Sequence, residues 1–226
     1  MHFQFLKRGV LPVQASRARR EPWLRRLAAS LLVSPNPLRI RPLKLGVLGV
    51  LAVQLFAGCA SPKSFYVLTA EGPAPAGGGT AIGVGPVSLA GYLDRANLVF
   101  QESGNRMAVA ESHRWAGDLE ENIARVTATN LGRKLGTGNL RTYPWGSDGE
   151  LRYQVTLDIR QLHGTADGDA VLDAAWRVYS LPDRRMVASK SWSGTEPLGA
   201  DGFDAVAAAQ SRLLGRLASE IAADLR

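Results

Sequence analysis

The sequence has 226 residues, 46% of them hydrophobic, which suits one packed domain of ordinary size with disposable ends and does not suggest an integral membrane protein. Its formal charge of +7 invites a nucleic-acid reading, but that charge is localised: up to Gly58 ten Lys and Arg stand against the one acid Glu21, and from Cys59 onward seventeen stand against nineteen acids. The folded part is therefore near neutral, with no basic patch for nucleic acid, and a single cysteine excludes both an internal disulfide framework and a Cys-rich metal site.

In chain order, residues 1–37 carry Arg19, Arg20, Arg25 and Arg26 among scattered prolines, without the periodicity of a folded element. They are either a disordered extension or a stretch ahead of the true start codon, and the Arg19-Arg20 pair lies too far upstream for a persuasive twin-arginine leader. Arg39, Arg41 and Lys44 then precede an apolar run from Leu45 to Ala57, the charged-then-apolar order of a signal peptide. The run is shorter than the roughly 20 apolar residues of a spanning helix.

Leu55-Phe56-Ala57-Gly58-Cys59 resembles the lipobox of bacterial lipoproteins, with Phe56 standing where an aliphatic residue is usual. The resemblance implies signal-peptidase recognition of Phe56, Ala57 and Gly58, and a covalent lipid, with acyl chains such as palmitate, on Cys59. More than one acyl chain is needed for stable anchoring, a condition that a triacylated cysteine meets. Ala60, not being Asp, implies sorting to the periplasmic face of the outer membrane. The division is thus a leader and signal peptide over 1–58, a lipidated tether over 59–64 and one domain over 65–226.

Phe65 to Leu68 reads as a strand, residues 72–80 as a Gly/Pro-rich loop without the Lys-Ser/Thr ending of a phosphate loop, and Ala81 to Leu89 as an edge or bulged strand. Asn97 to Gln101 and Arg106 to Ala110 form a hairpin around Ser103-Gly104-Asn105. A helix follows from Asp118 to Leu135, with Asp118 and Glu121 spaced as a capping box, apolar residues near helical spacing, and Arg133, Lys134 and Gly136 closing it. Strict alternation from Leu151 to Ile159 gives the clearest strand; turns at Asp167-Gly168-Asp169 and Leu181-Pro182-Asp183 lead to strands at Val171 to Tyr179 and Met186 to Trp192, an antiparallel meander. A last helix starts at Asp201, its stripe running from Phe203 through Leu214 and Leu217 to Leu225. Two long helices on a mainly antiparallel sheet define an α+β fold in a single domain.

Candidate chemistry is sparse. His113 and His163 lack metal-type spacing, and Glu111-Ser112-His113 places neighbours where triad geometry is not generally met. Asp167 and Asp169 lack the distal Glu of a calcium loop. No catalytic residue, metal ligand or cofactor beyond the lipid on Cys59 is assigned, and the expectation is a non-enzymatic protein. Tyr92, Arg95, Arg106 and Trp115 are the candidate partner contacts, because aromatic and Arg side chains dominate interfaces. Two of them have a specific structural alternative: a core role for Trp115, an ion pair for Arg106.

The landmarks Phe65-Tyr66-Val67-Leu68, Val84-Gly85-Pro86-Val87, Tyr92-Leu93-Asp94-Arg95, Ser103-Gly104-Asn105-Arg106-Met107, Arg114-Trp115-Ala116 and Leu119-Glu120-Glu121-Asn122-Ile123 resemble, in order, the PqiC-type ABC-transport auxiliary lipoproteins. The resemblance implies a homo-oligomeric accessory subunit working with a mammalian-cell-entry-domain protein and inner-membrane transport components in lipid movement and outer-membrane integrity. The alternative from another class is a structural lipoprotein that binds peptidoglycan or another cell-wall component.

Overall fold

The computed structural model describes residues 62–74, 77–146 and 150–226. The leader, the recognition residues Phe56, Ala57 and Gly58, and Cys59 lie outside the described residues. In chain order the elements are β1 (Ser64–Tyr66), β2 (Ile82–Leu89), β3 (Asn97–Ser103), β4 (Arg106–Trp115), α1 (Leu119–Leu135), β5 (Leu140–Thr142), β6 (Tyr153–Thr165), β7 (Asp169–Ser180), β8 (Arg185–Pro197) and α2 (Phe203–Ala223).

The meander is the backbone of the sheet. β6 and β7 pair antiparallel from Tyr153↔Ser180 to Gly164↔Ala170, and β8 continues antiparallel along β7. On β7 Leu172, Ala174, Trp176 and Val178 are buried while Asp173, Ala175 and Arg177 alternate to the other side, as a sheet with one covered face requires. The second edge of β6 is shared: β2 pairs parallel with it from Tyr153 to Ile159, and β3 pairs parallel with Gly164 and Thr165. β5 extends β2, the β3–β4 hairpin extends the other end, and β1 lies parallel on β4. The fold is α+β, as expected, and the sheet is mixed: the meander and the hairpin hold most registered pairs, while four shorter pairings are parallel.

Bulges explain where periodicity in the sequence stops short of the strands. β6 shifts register between Ile159 and Gln161, so the alternation ends at Ile159 although the strand runs on to Thr165. β4 shifts between its Asn97 and Val99 partners, and the Asn97 amide donates to the carbonyls of Ala110 at 2.9 Å and Glu111 at 3.2 Å, which the bulge withdraws from the ladder. β2 is bulged between Val84 and Val87, lying between β5 and β6 rather than at an edge.

Both helices cover one face. Ile123, Val126 and Leu131 of α1 and Leu213, Leu214, Leu217 and Ile221 of α2 join Val84, Val155, Ile159, Leu172 and Trp176 in one core. The Asp118 side chain accepts from the Glu121 amide at 3.0 Å, and Gly136, at φ 67, ends α1 in the left-handed conformation open to glycine. α2 begins at Phe203 rather than Asp201, with Gly202 as its uncapped N-terminal neighbour.

Candidate functional site

The described histidines are each held by a tyrosine. Tyr92, in the turn after β2, places its hydroxyl 3.0 Å from His163 Nδ1 and donates to the Arg160 carbonyl at 3.3 Å. His163 is buried, and that burial holds its imidazole below the usual range; burial likewise pushes the Tyr92 phenol up. His113 Nδ1 lies 2.7 Å from the Tyr66 hydroxyl, and its ring stacks on Phe203 at 4.0 Å between centroids. Phe203 also meets Phe100 edge-on, so the start of α2 is seated by an aromatic cluster from three strands. His113 engages its Nδ1 with the Tyr66 hydroxyl rather than with Ser112, its neighbour on β4.

The four candidate contact residues fall in three places. Tyr92 and Arg95 share the segment between β2 and β3, and Arg95 lines a groove of about 300 Å³ with Asp94, Asp118 and Glu120 beside the start of α1. Burial, then Asp118 and Asp94, raise the Glu120 carboxyl. Arg106 stands at the β3–β4 turn, paired with Glu102 at 2.9 Å with both side chains largely in solvent. Trp115 closes β4 inside the core at 5% exposure, out of a partner's reach.

Two surfaces escaped the sequence reading. The sheet face turned away from the helices carries a shallow groove of about 500 Å³, in which Ser88 donates to Asp158 at 3.3 Å and Arg160 stands between Asp158 at 3.5 Å and Asp173 at 3.7 Å. A second groove, of about 440 Å³, runs between the helices, with Arg133 and Lys134 from α1 and Arg212 and Arg216 from α2. There Glu196 takes Arg212 at 2.7 Å and Arg216 at 3.3 Å, Arg216 lies over the Trp192 ring at 5.3 Å, and Arg133 donates to the Glu71 carbonyl. The i, i+4 spacing of Arg212 and Arg216 was the available signal; the partners on α1 and β8 lie far away in sequence. Both surfaces are polar and open, suited to protein or headgroup contact rather than to enclosing a substrate. Among the described residues no three His, Cys, Asp or Glu side chains converge as metal ligands do, and no helix is long and apolar enough to cross a membrane.

The sequence model of a family described as an ABC-type transport auxiliary lipoprotein component matches residues 66–222. No curated protein sequence matches the chain. Among solved structures, an uncharacterized protein aligns with a TM-score of 0.63 at 17% identity, over 74% of this chain and 100% of its own. A protein from Xanthomonas campestris aligns with a TM-score of 0.56 at 17% identity, over 70% of this chain and 92% of its own. At such identities the likeness speaks for the fold alone.

Proposed function

The chain belongs to the family of ABC-type transport auxiliary lipoprotein components, and from that membership we propose that it is a non-enzymatic accessory subunit, anchored through acylated Cys59 to the periplasmic face of the outer membrane, that docks a mammalian-cell-entry-domain protein of a lipid transport system. The observation that carries this reading is where the family match begins. It starts at Tyr66, seven residues after the only cysteine, so the lipobox-like segment directly abuts the auxiliary domain. Two acyl signals or more hold a protein at a bilayer stably, and a domain so close behind them works at the membrane surface.

The mechanism is protein contact. Tyr92 and Arg95 are the proposed contact residues, Arg95 in solvent and Tyr92 half-buried at the surface, while Arg106 is taken up by Glu102 at the hairpin turn. Assembly into a homo-oligomer belongs to the same proposal. Its physical sense is avidity: several weak contacts presented together bind far more tightly than one.

Two measurements test the reading. Mass spectrometry of the purified protein is expected to find a mature amino terminus at Cys59 with its acyl groups; a free thiol with residue 58 still attached overturns the anchor. Photo-crosslinking from position 95 in cells is expected to trap a mammalian-cell-entry-domain protein. Adducts with cell-wall material alone would replace this function with the structural, peptidoglycan-binding one.

A further inference from the structure

The edge of the sheet formed by β1 and β4 carries an apolar face that neither helix covers. Phe65 and Val67, in and just after β1, are 62% and 48% exposed, and Met107 and Val109 on β4 are 36% and 43% exposed. The registers put three of them on one side. Phe65 lies opposite Arg114 and Arg114 opposite Asn97, while Val109 and Met107 lie opposite Val99 and Gln101. Facing residues of a ladder share a side, and Asn97, Val99 and Gln101 alternate onto the same one; Val67 follows Phe65 by the same period. Tyr66 turns the other way, toward Phe203. Scattered apolar residues on a surface are ordinary, but a row along one edge marks a contact.

Strand direction says what lies beyond that row. β1 is parallel to β4, so the chain entering Ser64 arrives from the side of the β3–β4 turn. Cys59 precedes Ser64 by five residues, which span at most about 18 Å when fully extended. β3 from Asn97 to Ser103 rises about 20 Å, so that reach is enough to bring Cys59 about level with the β3–β4 turn. We propose that the row Phe65, Val67, Met107 and Val109, with the β3–β4 turn leading, is the surface on which the domain rests against the bilayer that holds its own acyl chains. The proposal rests on the reading of Cys59 as acylated and adds the face and orientation of the domain.

The contact is apolar in origin. Arg106 is already paired with Glu102, and the β6–β7 turn, tied to this end by the Ala166 amide donating to the Gln101 carbonyl, carries Asp167 and Asp169. A zwitterionic bilayer therefore serves as well as an anionic one. Met186 and Val187, 52% and 37% exposed beside the β7–β8 turn, supply an internal control. That turn aligns with Tyr153 at the start of β6, whereas β3 meets β6 at Gly164 and Thr165, the opposite end of the same strand.

The test uses the full lipidated protein in phosphatidylcholine vesicles, with a nitroxide on Met107→Cys, Val109→Cys or Met186→Cys. An acylated Cys59 leaves one reactive thiol in each variant. The expected result is severalfold lower collision with a water-soluble nickel chelate, and higher collision with oxygen, at 107 and 109 than at 186. Equal exposure to nickel at all three positions, with one label per chain, overturns the face and leaves the anchor standing. Two labels per chain, on protein that does not float with vesicles, overturn the anchor and this proposal together. Spin–spin broadening at 107 and 109 that grows with protein density assigns the row to a second copy and overturns the bilayer.

Discussion

At the scale of single residues, His163 couples protonation to folding. Its folded imidazole is held below the usual range by burial, so as pH falls through about 6.5 the unfolded chain takes up a proton before the native one does. The stability it secures is complete above that value and drains away as pH falls further toward the folded pKa. Thermal melts between about pH 7.5 and pH 5 are expected to fall less steeply for His163→Gln than for the parent, with the variant about 1 kcal/mol weaker at the upper end from the altered Tyr92 bond. Parallel curves would remove His163 as the cause. Gly194 makes a steric prediction: a Cβ there would lie 2.3 Å from the Trp192 Cη2, because the indole folds back over the bare glycine while Arg216 stacks on it. Gly194→Ala is expected to cost about 1–3 kcal/mol and to change the near-UV circular dichroism of the protein. Neither relation was legible in the sequence. Tyr92 and His163 are 71 residues apart, and Gly194 read alone looks like a weak strand residue rather than a seat for a ring.

At the scale of elements, legibility followed how local the controlling interaction is. α1 was readable end to end, since its cap, its apolar stripe and its terminal glycine all lie within the helix and its flanks. The Asp118→Ala variant is expected to lose about 1 kcal/mol of stability in denaturant titration, without change in the slope of the transition. The meander was readable from alternation and turn residues, but β5 was not: it is three residues long, and only the parallel edge of β2 makes it a strand. The full lengths of β4 and β6 were hidden because a bulge breaks the period on which the pattern depends. The end of α2 depends on a partner equally remote. Asp224 accepts from the Trp176 indole at 2.9 Å and pairs with Lys190, pinning the helix to β7 and β8. Removing that acceptor in Asp224→Ala leaves the buried indole N–H unpaired, an expected loss of about 1–3 kcal/mol; a cost no larger than that of an exposed-site control would show the helix end to be held by packing alone.

For the whole molecule the decisive strand is β6, because three neighbours meet on it. β7 lies along one edge, and on the other β2 takes the segment before the bulge and β3 the end after it. The two groups, β2 with β5 and β3 with β4 and β1, are joined through β6, and the Ala90 amide, donating to the Ile159 carbonyl at 2.9 Å, marks where one gives way to the other. Ile159 is fully buried beneath this junction, so Ile159→Ala is expected to cost about 2–5 kcal/mol. If β6 makes one cooperative unit of the sheet, native-state hydrogen exchange in that variant speeds up by a common factor in β2 and in the β3–β4 hairpin. Acceleration confined to β2 would instead make the hairpin and β1 a separately folding unit. The distinction bears on function, since the row of Phe65, Met107 and Val109 sits on that unit while the groove of Arg212 and Arg216 sits on the helices. If the bilayer contact proposed for that row acts on the groove as well, a sheet that opens as one cooperative unit is the element able to join them.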